Sequence, residues 1–108
     1  MKGQRTMKTK INRITYDTEA AHPLAIYSSY QPVGSMFHFS EVLYIKPDGE
    51  YFLYGRGEAM TQYAKRYKNR SNASGEVIVP MTEEQAKAWA KRWCARVIYR
   101  EIFGEDVE

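Results

Sequence analysis

The chain of 108 residues holds a single cysteine, Cys94, and only two histidines, His22 and His38. One thiol excludes an internal disulfide framework and fits a reducing cytoplasm. So few His and Cys leave no donor set for a zinc site of the usual spacing, and no cofactor is expected. No apolar run approaches the ~20 residues of a membrane span. Met1 to Lys10 is basic and polar, without the apolar core of a signal peptide, so no membrane partner is expected. Four prolines and seven glycines are scattered, and no linker, repeat or low-complexity tract divides the chain. Charge of one sign is also scarce: the formal net charge is +3, too small to require nucleic acid as a partner. The length suits one compact domain with a single core. We expect a flexible basic arm at residues 1–7, with Met7 as an alternative start, and one domain over residues 8–108.

Aromatic side chain is what the sequence has in abundance: nine Tyr, four Phe and two Trp. The densest stretch runs from Phe37 to Gly57. Lys46-Pro47-Asp48-Gly49 has the chemistry of a tight turn, with Pro pre-setting the first central dihedral and Gly taking a left-handed position. The flanking runs Val42-Leu43-Tyr44-Ile45 and Tyr51-Phe52-Leu53-Tyr54 are apolar on both alternating faces. A hairpin of this kind is covered on both sides or keeps an aromatic face for a partner. One way to hide the second face is a symmetric homodimer in which Tyr44 and Tyr51 meet their copies. The other is the N-terminal strand folding over it.

Elsewhere, Lys8 to Tyr16 reads as a first strand and Leu24 to Tyr30 as a second one paired with it. His22-Pro23 blocks a helix. Gly55-Arg56-Gly57 ends the hairpin, and Glu58 to Tyr67 places Ala59, Met60, Tyr63, Ala64 and Tyr67 at helical spacing. Lys68 to Gly75 reads as a polar loop. Glu76 to Pro80 reads as an edge strand, because Pro80 cannot donate to a ladder. Thr82 with Gln85 makes a capping box, with Glu83 and Glu84 in the first turn. The helix it starts either runs to Phe103, where Gly104 stops it, or breaks near Arg92 to Ala95. The expected fold is α+β: an antiparallel sheet of four to five strands packed by two helices. Trp89 and Trp93 should be buried against Leu43, Ile45, Phe52 or Leu53.

No residue cluster identifies a reaction. His22 and His38 have no motif partner at a defined spacing, and Cys94 beside Trp93 reads as a buried inert thiol. Pro47-Asp48 with Glu50 starts like a nuclease metal motif, but Phe52 stands where that motif needs Lys. Gly55-Arg56-Gly57 is too short for a phosphate loop. Two binding constellations remain. Tyr and Arg are the residues that protein interfaces enrich, and Tyr44, Tyr51, Tyr54 and Arg56 are the candidate protein-binding set. Lys65, Arg66, Lys68 and Arg70 interleave with Tyr63 and Tyr67, a composition suited to single-stranded nucleic acid. The bland alternative for this segment is two core tyrosines and a solvated cationic face.

Four stretches, taken in order, carry a resemblance: Tyr16-Asp17-Thr18-Glu19-Ala20-Ala21, Glu50 to Gly57, Val79 to Ala86, and Ile102-Phe103-Gly104. Together they resemble a family of small uncharacterised bacterial proteins found mostly in Gram-positive genomes, their phages and mobile elements. The chain departs from the family pattern at Ala20 or Ala21, where Thr is usual, and at Arg56, which splits a glycine pair. The resemblance implies no catalytic residue. It implies a genetic setting in which inhibitors of host defence, including anti-CRISPR proteins, are common. The expected function is therefore a non-enzymatic cytoplasmic binding protein that occludes a host defence nucleoprotein. The alternative is a nucleic-acid-binding accessory protein using residues 62–70.

Overall fold

A computed structural model describes residues 6–32, 34–68 and 70–106, apart from the side chain of Arg70. The fold is α+β. A central sheet takes the strand order β3 (His22–Ser28), β4 (Phe39–Ile45), β5 (Tyr51–Gly57), β8 (Gly75–Met81), antiparallel throughout. Two small hairpins flank it: β1 (Lys8–Ile11) with β2 (Ile14–Asp17), and β6 (Lys65–Tyr67) with β7 (Arg70–Ala73). Two helices follow, α1 (Glu83–Trp93) and α2 (Arg96–Phe103). No helix among the described residues is long and apolar enough to cross a membrane.

The turn between β4 and β5 forms as its residues dictate. Gly49 adopts φ 92° and its N–H donates to the Lys46 carbonyl, while Glu50 N–H donates to Asp48 Oδ1. Lys46 N–H donates to Glu50 C=O, which sets the ladder parity: Phe52, Tyr54 and Arg56 bond to β4, and alternate residues bond to β8. By the same alternation Pro80, opposite Phe52, has its nitrogen on the open side of the edge strand, where no donor is required.

The N-terminal segment is two strands rather than one. Asn12 and Arg13 take φ 51° and 69°, the paired left-handed positions of a two-residue hairpin turn. Met7 closes the base: its N–H donates to Thr18 Oγ1, and Thr18 N–H donates to its carbonyl. Met7 thus belongs to the folded unit, and of the basic arm expected at 1–7, residues 1–5 lie outside the described residues. β3 pairs with β4 and not with the first hairpin.

Tyr16, Ile11 and Met7 pack on Val42, Tyr44, Phe52, Tyr54 and Ile78. Tyr44 stacks on Phe52 at 5.1 Å, and Tyr16 meets Phe52 edge-on at 5.5 Å. The N-terminal hairpin therefore hides the second aromatic face, the alternative to the homodimer. Tyr44 and Tyr51 also project to opposite faces, since Tyr44 is in register with Phe52 and Tyr51 with Ile45. One two-fold axis cannot bring both rings against their copies.

On the other face, Leu43 and Leu53 pack with Ala86, Trp89, Ala90 and Tyr99, and Trp93 borders the cluster. The capping box at Thr82 and Gln85 is complete. The helix breaks at Cys94-Ala95, both extended, with neither Gly nor Pro present. The break turns α2 back over the sheet, so that Tyr99 enters the core and Phe103 reaches Tyr51 at 5.9 Å. A straight helix would carry both rings away from that core. Gly104, at φ 71°, closes α2 as a left-handed cap.

Residues 58–64 form turns, not the helix their spacing suggests. Glu58 N–H extends the ladder to the His38 carbonyl, and Thr61 Oγ1 donates to the Glu58 carbonyl. The chain then pairs as β6, so residues 65–67 are extended and residues 70–73 are a strand instead of a loop.

Candidate functional site

Strand β4 alternates, and its parity places Glu41 with Phe39, Leu43 and Ile45 on the helix face. An acid at that parity is buried: Glu41 is 8% exposed. Its cross-strand neighbour on β5 is Gly55, and on β3 it is Tyr27. Gly55 is a requirement of space. A Cβ there would fall 2.2 Å from Tyr63 Cζ, because the Tyr63 ring fills the room that the missing side chain leaves. Gly57 makes the same room for Thr61. The Gly-Arg-Gly stretch thus lies within β5 and seats the 58–64 turn.

The Tyr63 hydroxyl donates to Glu41 Oε2, and Trp89 Nε1–H donates to Oε1 at 2.8 Å. Burial, reinforced by the adjacent carboxylate, holds the Tyr63 phenol well above its ordinary range. Each Glu41 oxygen therefore has one neutral donor. No Lys or Arg among the described residues lies within ion-pair distance; the described pairs use Glu50, Asp48, Glu58, Glu83, Glu105 and Asp106. An open groove of about 470 Å³ lies above this carboxylate, lined by Phe39, Leu53, Gln62, Ala88, Trp89, Arg92 and Trp93. Its rings are backed by others: Trp93 meets Tyr27 at 4.0 Å, and Phe39 meets Tyr27 at 5.9 Å and Tyr63 at 6.3 Å.

A second surface lies at the end of the sheet where β4 starts. Tyr30, Met36, Phe37 and Met60 are exposed there, Tyr30 at 97%. Met60 N–H donates to the Met36 carbonyl at 2.8 Å, which ties the 58–61 turn to the β3–β4 loop. Ser35 braces that loop by accepting from Phe37 N–H and His38 N–H.

The residues singled out from the sequence do not form one protein-binding face. Tyr44 and Tyr54 are core residues under the N-terminal hairpin, with Tyr54 reaching Glu76 through its hydroxyl at 2.6 Å. Their alternation looked like an exposed aromatic stripe because the cover comes from residues more than twenty-five positions earlier. Tyr51 is on the helix face against Phe103. Arg56 is half-buried and pairs with Glu58 at 3.3 Å. Among the basic residues, Lys65, Arg66 and Lys68 are exposed on the β6–β7 ribbon. Arg70 joins that ribbon opposite Tyr67, its side chain outside the described residues. Arg56 and Lys65, one from each predicted set, line a small groove of about 120 Å³ with Ser74, Gly75 and Glu76.

His22 pairs with Ile45 at one end of β4, whereas His38 precedes its other end. At roughly 3.3 Å per residue they stand about 20 Å apart and share no site. The site that sequence reasoning missed is Glu41. Its signal was present as an acid on the core parity of an apolar strand, with Gly55 and Gly57 on the matching parity of the next. No family model matches this chain, and neither a curated protein nor a solved structure is detectably similar to it.

Proposed function

We propose that this chain is a non-enzymatic binding protein that engages a protein partner through the end of the sheet bearing Tyr30, Met36, Phe37 and Met60. The observation that carries this reading is four large apolar side chains exposed on the β3–β4 loop and the 58–61 turn, two segments joined by the Met60 N–H to Met36 carbonyl bond. Apolar area held in place on a surface is what protein interfaces use, and Tyr and Met are among the residues they enrich. The aromatic groove above Glu41 starts at Phe39, next to this end, and extends the same surface. Occlusion of a host defence nucleoprotein, in the manner of an anti-CRISPR protein, is the form of binding that the sequence resemblance supports.

The test is capture from native host extract after nuclease treatment. A protein retained by the parent chain and lost by the double variant Phe37→Ser, Met60→Ser is the expected result. Equal retention by that variant, or capture that nuclease abolishes, refutes the reading. For the inhibitor form, adding the chain to the captured complex should suppress its nucleic-acid activity.

A second reading is favoured by the β6–β7 ribbon, which carries exposed Lys65, Arg66 and Lys68 around a partly exposed Tyr67. A basic two-stranded ribbon suits nucleic acid, because such ribbons fit a groove or track a strand. It predicts binding that weakens steeply with salt, and a flatter log–log slope for Lys65→Ala, Arg66→Ala. An unchanged slope removes the ribbon from consideration.

A further inference from the structure

We infer that the groove above Glu41 receives the cationic end of a lysine or arginine side chain from the partner protein. The inference rests on the protein-binding reading and assigns the chemistry of one contact within it. Three features of the groove converge on a cation.

The first is unbalanced charge. Glu41 is buried on the core side of the sheet, and its oxygens accept only from a phenol and an indole among the described residues. Neutral donors satisfy hydrogen-bonding geometry but leave the negative charge uncompensated, and buried charge is stabilised chiefly by an opposite charge. Each carboxylate oxygen accepts more than one hydrogen bond, so capacity remains for N–H groups entering from the groove.

The second is the wall. Phe39, Trp89 and Trp93 line the groove beside the carboxylate, and Tyr27 and Tyr63 pack against these rings. A ring face attracts a cation by its quadrupole, as the Trp93 face does for Arg92, and also covers the methylene stem that carries it. An anionic ligand would meet the same carboxylate as repulsion.

The third is access. The groove is open to solvent at about 470 Å³, ample for a lysine or arginine end. At its rim Arg92 lies over the Trp93 ring at 4.7 Å. It shows that this aromatic wall accommodates a guanidinium, and it stands as a like charge that a ligand cation must tolerate.

The experiment is an NMR titration of the whole chain, reading the Trp89 indole N–H resonance. The probes are three capped tripeptides, acetyl-Gly-Arg-Gly-amide, acetyl-Gly-Lys-Gly-amide and acetyl-Gly-Gln-Gly-amide. Saturable shifts with the Arg or Lys peptide at millimolar concentration, and none with the Gln peptide, are expected. Glu41→Gln should weaken binding about tenfold or more, the size of a charge-assisted hydrogen bond. Arg92→Gln, at the rim, should tighten it by about two- to fivefold, the size of an exposed charge interaction. If Glu41→Gln fails to fold, Phe39→Leu keeps the carboxylate and should weaken binding about two- to fivefold through the lost ring. Three results overturn the inference: no saturable shift, equal response to the Gln peptide, or loss of binding in Arg92→Gln. An unchanged affinity in Glu41→Gln or Phe39→Leu does the same. A silent titration alongside capture that still depends on Phe37 and Met60 refutes the cation pocket alone and leaves the protein-binding reading standing.

Discussion

On the hairpin face of the sheet, Tyr44, Phe52 and Tyr54 pack under Tyr16, and the polar ends reach the rim, where Tyr16 donates to Glu50 and Tyr54 to Glu76, each at 2.6 Å. On the helix face the same pairing of phenol and carboxylate is turned inward, with Tyr63 and Trp89 donating to a Glu41 that solvent hardly touches. Water replaces a lost partner readily at the rim, and far less readily at Glu41, which is only 8% exposed. Identical side-chain chemistry thus serves as an ordinary surface bond on one side and as a dependent polar core on the other. The helix face also keeps an open groove, which marks it as the functional candidate.

The largest expected effect lies on the hairpin face. Phe52 is fully buried, and Phe52→Ala should cost about 3–5 kcal/mol in denaturant unfolding. A loss below about 1 kcal/mol would mean that the hairpin does not cover this face as described. Gly55→Ala comes next, at about 1–3 kcal/mol, because the new methyl displaces the Tyr63 ring. It should perturb the Trp89 indole resonance while leaving Tyr16 and Tyr44 unmoved, which separates the two faces directly.

A matched pair of deletions sharpens the contrast. Trp89→Phe removes the indole donor from buried Glu41 and should cost about 1–3 kcal/mol. Tyr54→Phe removes a rim bond to an exposed Glu76 and should cost about 0.5–1.5 kcal/mol. Equal losses would erase the distinction between rim and core.

The smallest effect is on pH dependence. The hydrogen bond to Glu50, then burial, raises Tyr16 from 10.0 to about 12. Below about pH 10 folded and unfolded chains both keep this proton, and the contribution is complete. Between 10 and 12 the unfolded chain releases a proton that the folded one retains, so stability falls as pH rises. Tyr63, also raised, adds to the fall on the helix face. Tyr16→Phe should flatten the decline measured from pH 9.5 to 11.5, and a steeper decline would contradict the assignment.

Local chemistry in the sequence determined much of this protein. Turn residues at 46–49, the Thr82 cap, Gly104 as a stop and Pro80 on an edge strand all follow from short-range rules, and the structure agrees. These features succeed because their energies come from neighbours within a few residues. What only the tertiary structure decided depends on partners far along the chain. The helical spacing at 58–67 yielded to a ladder bond with His38 and to a ring seat at Gly55. The last helix broke without Gly or Pro, because Tyr99 and Phe103 gain burial only when α2 folds back. The aromatic stripe of Tyr44 and Tyr54 became core when residues 7–16 closed over it. Glu41 became a buried, doubly hydrogen-bonded carboxylate through Tyr63 and Trp89, 22 and 48 residues away. Which carboxylate is buried, and under which rings, is a property of that long-range assembly, since burial is conferred by whatever packs above a residue and not by the residue itself.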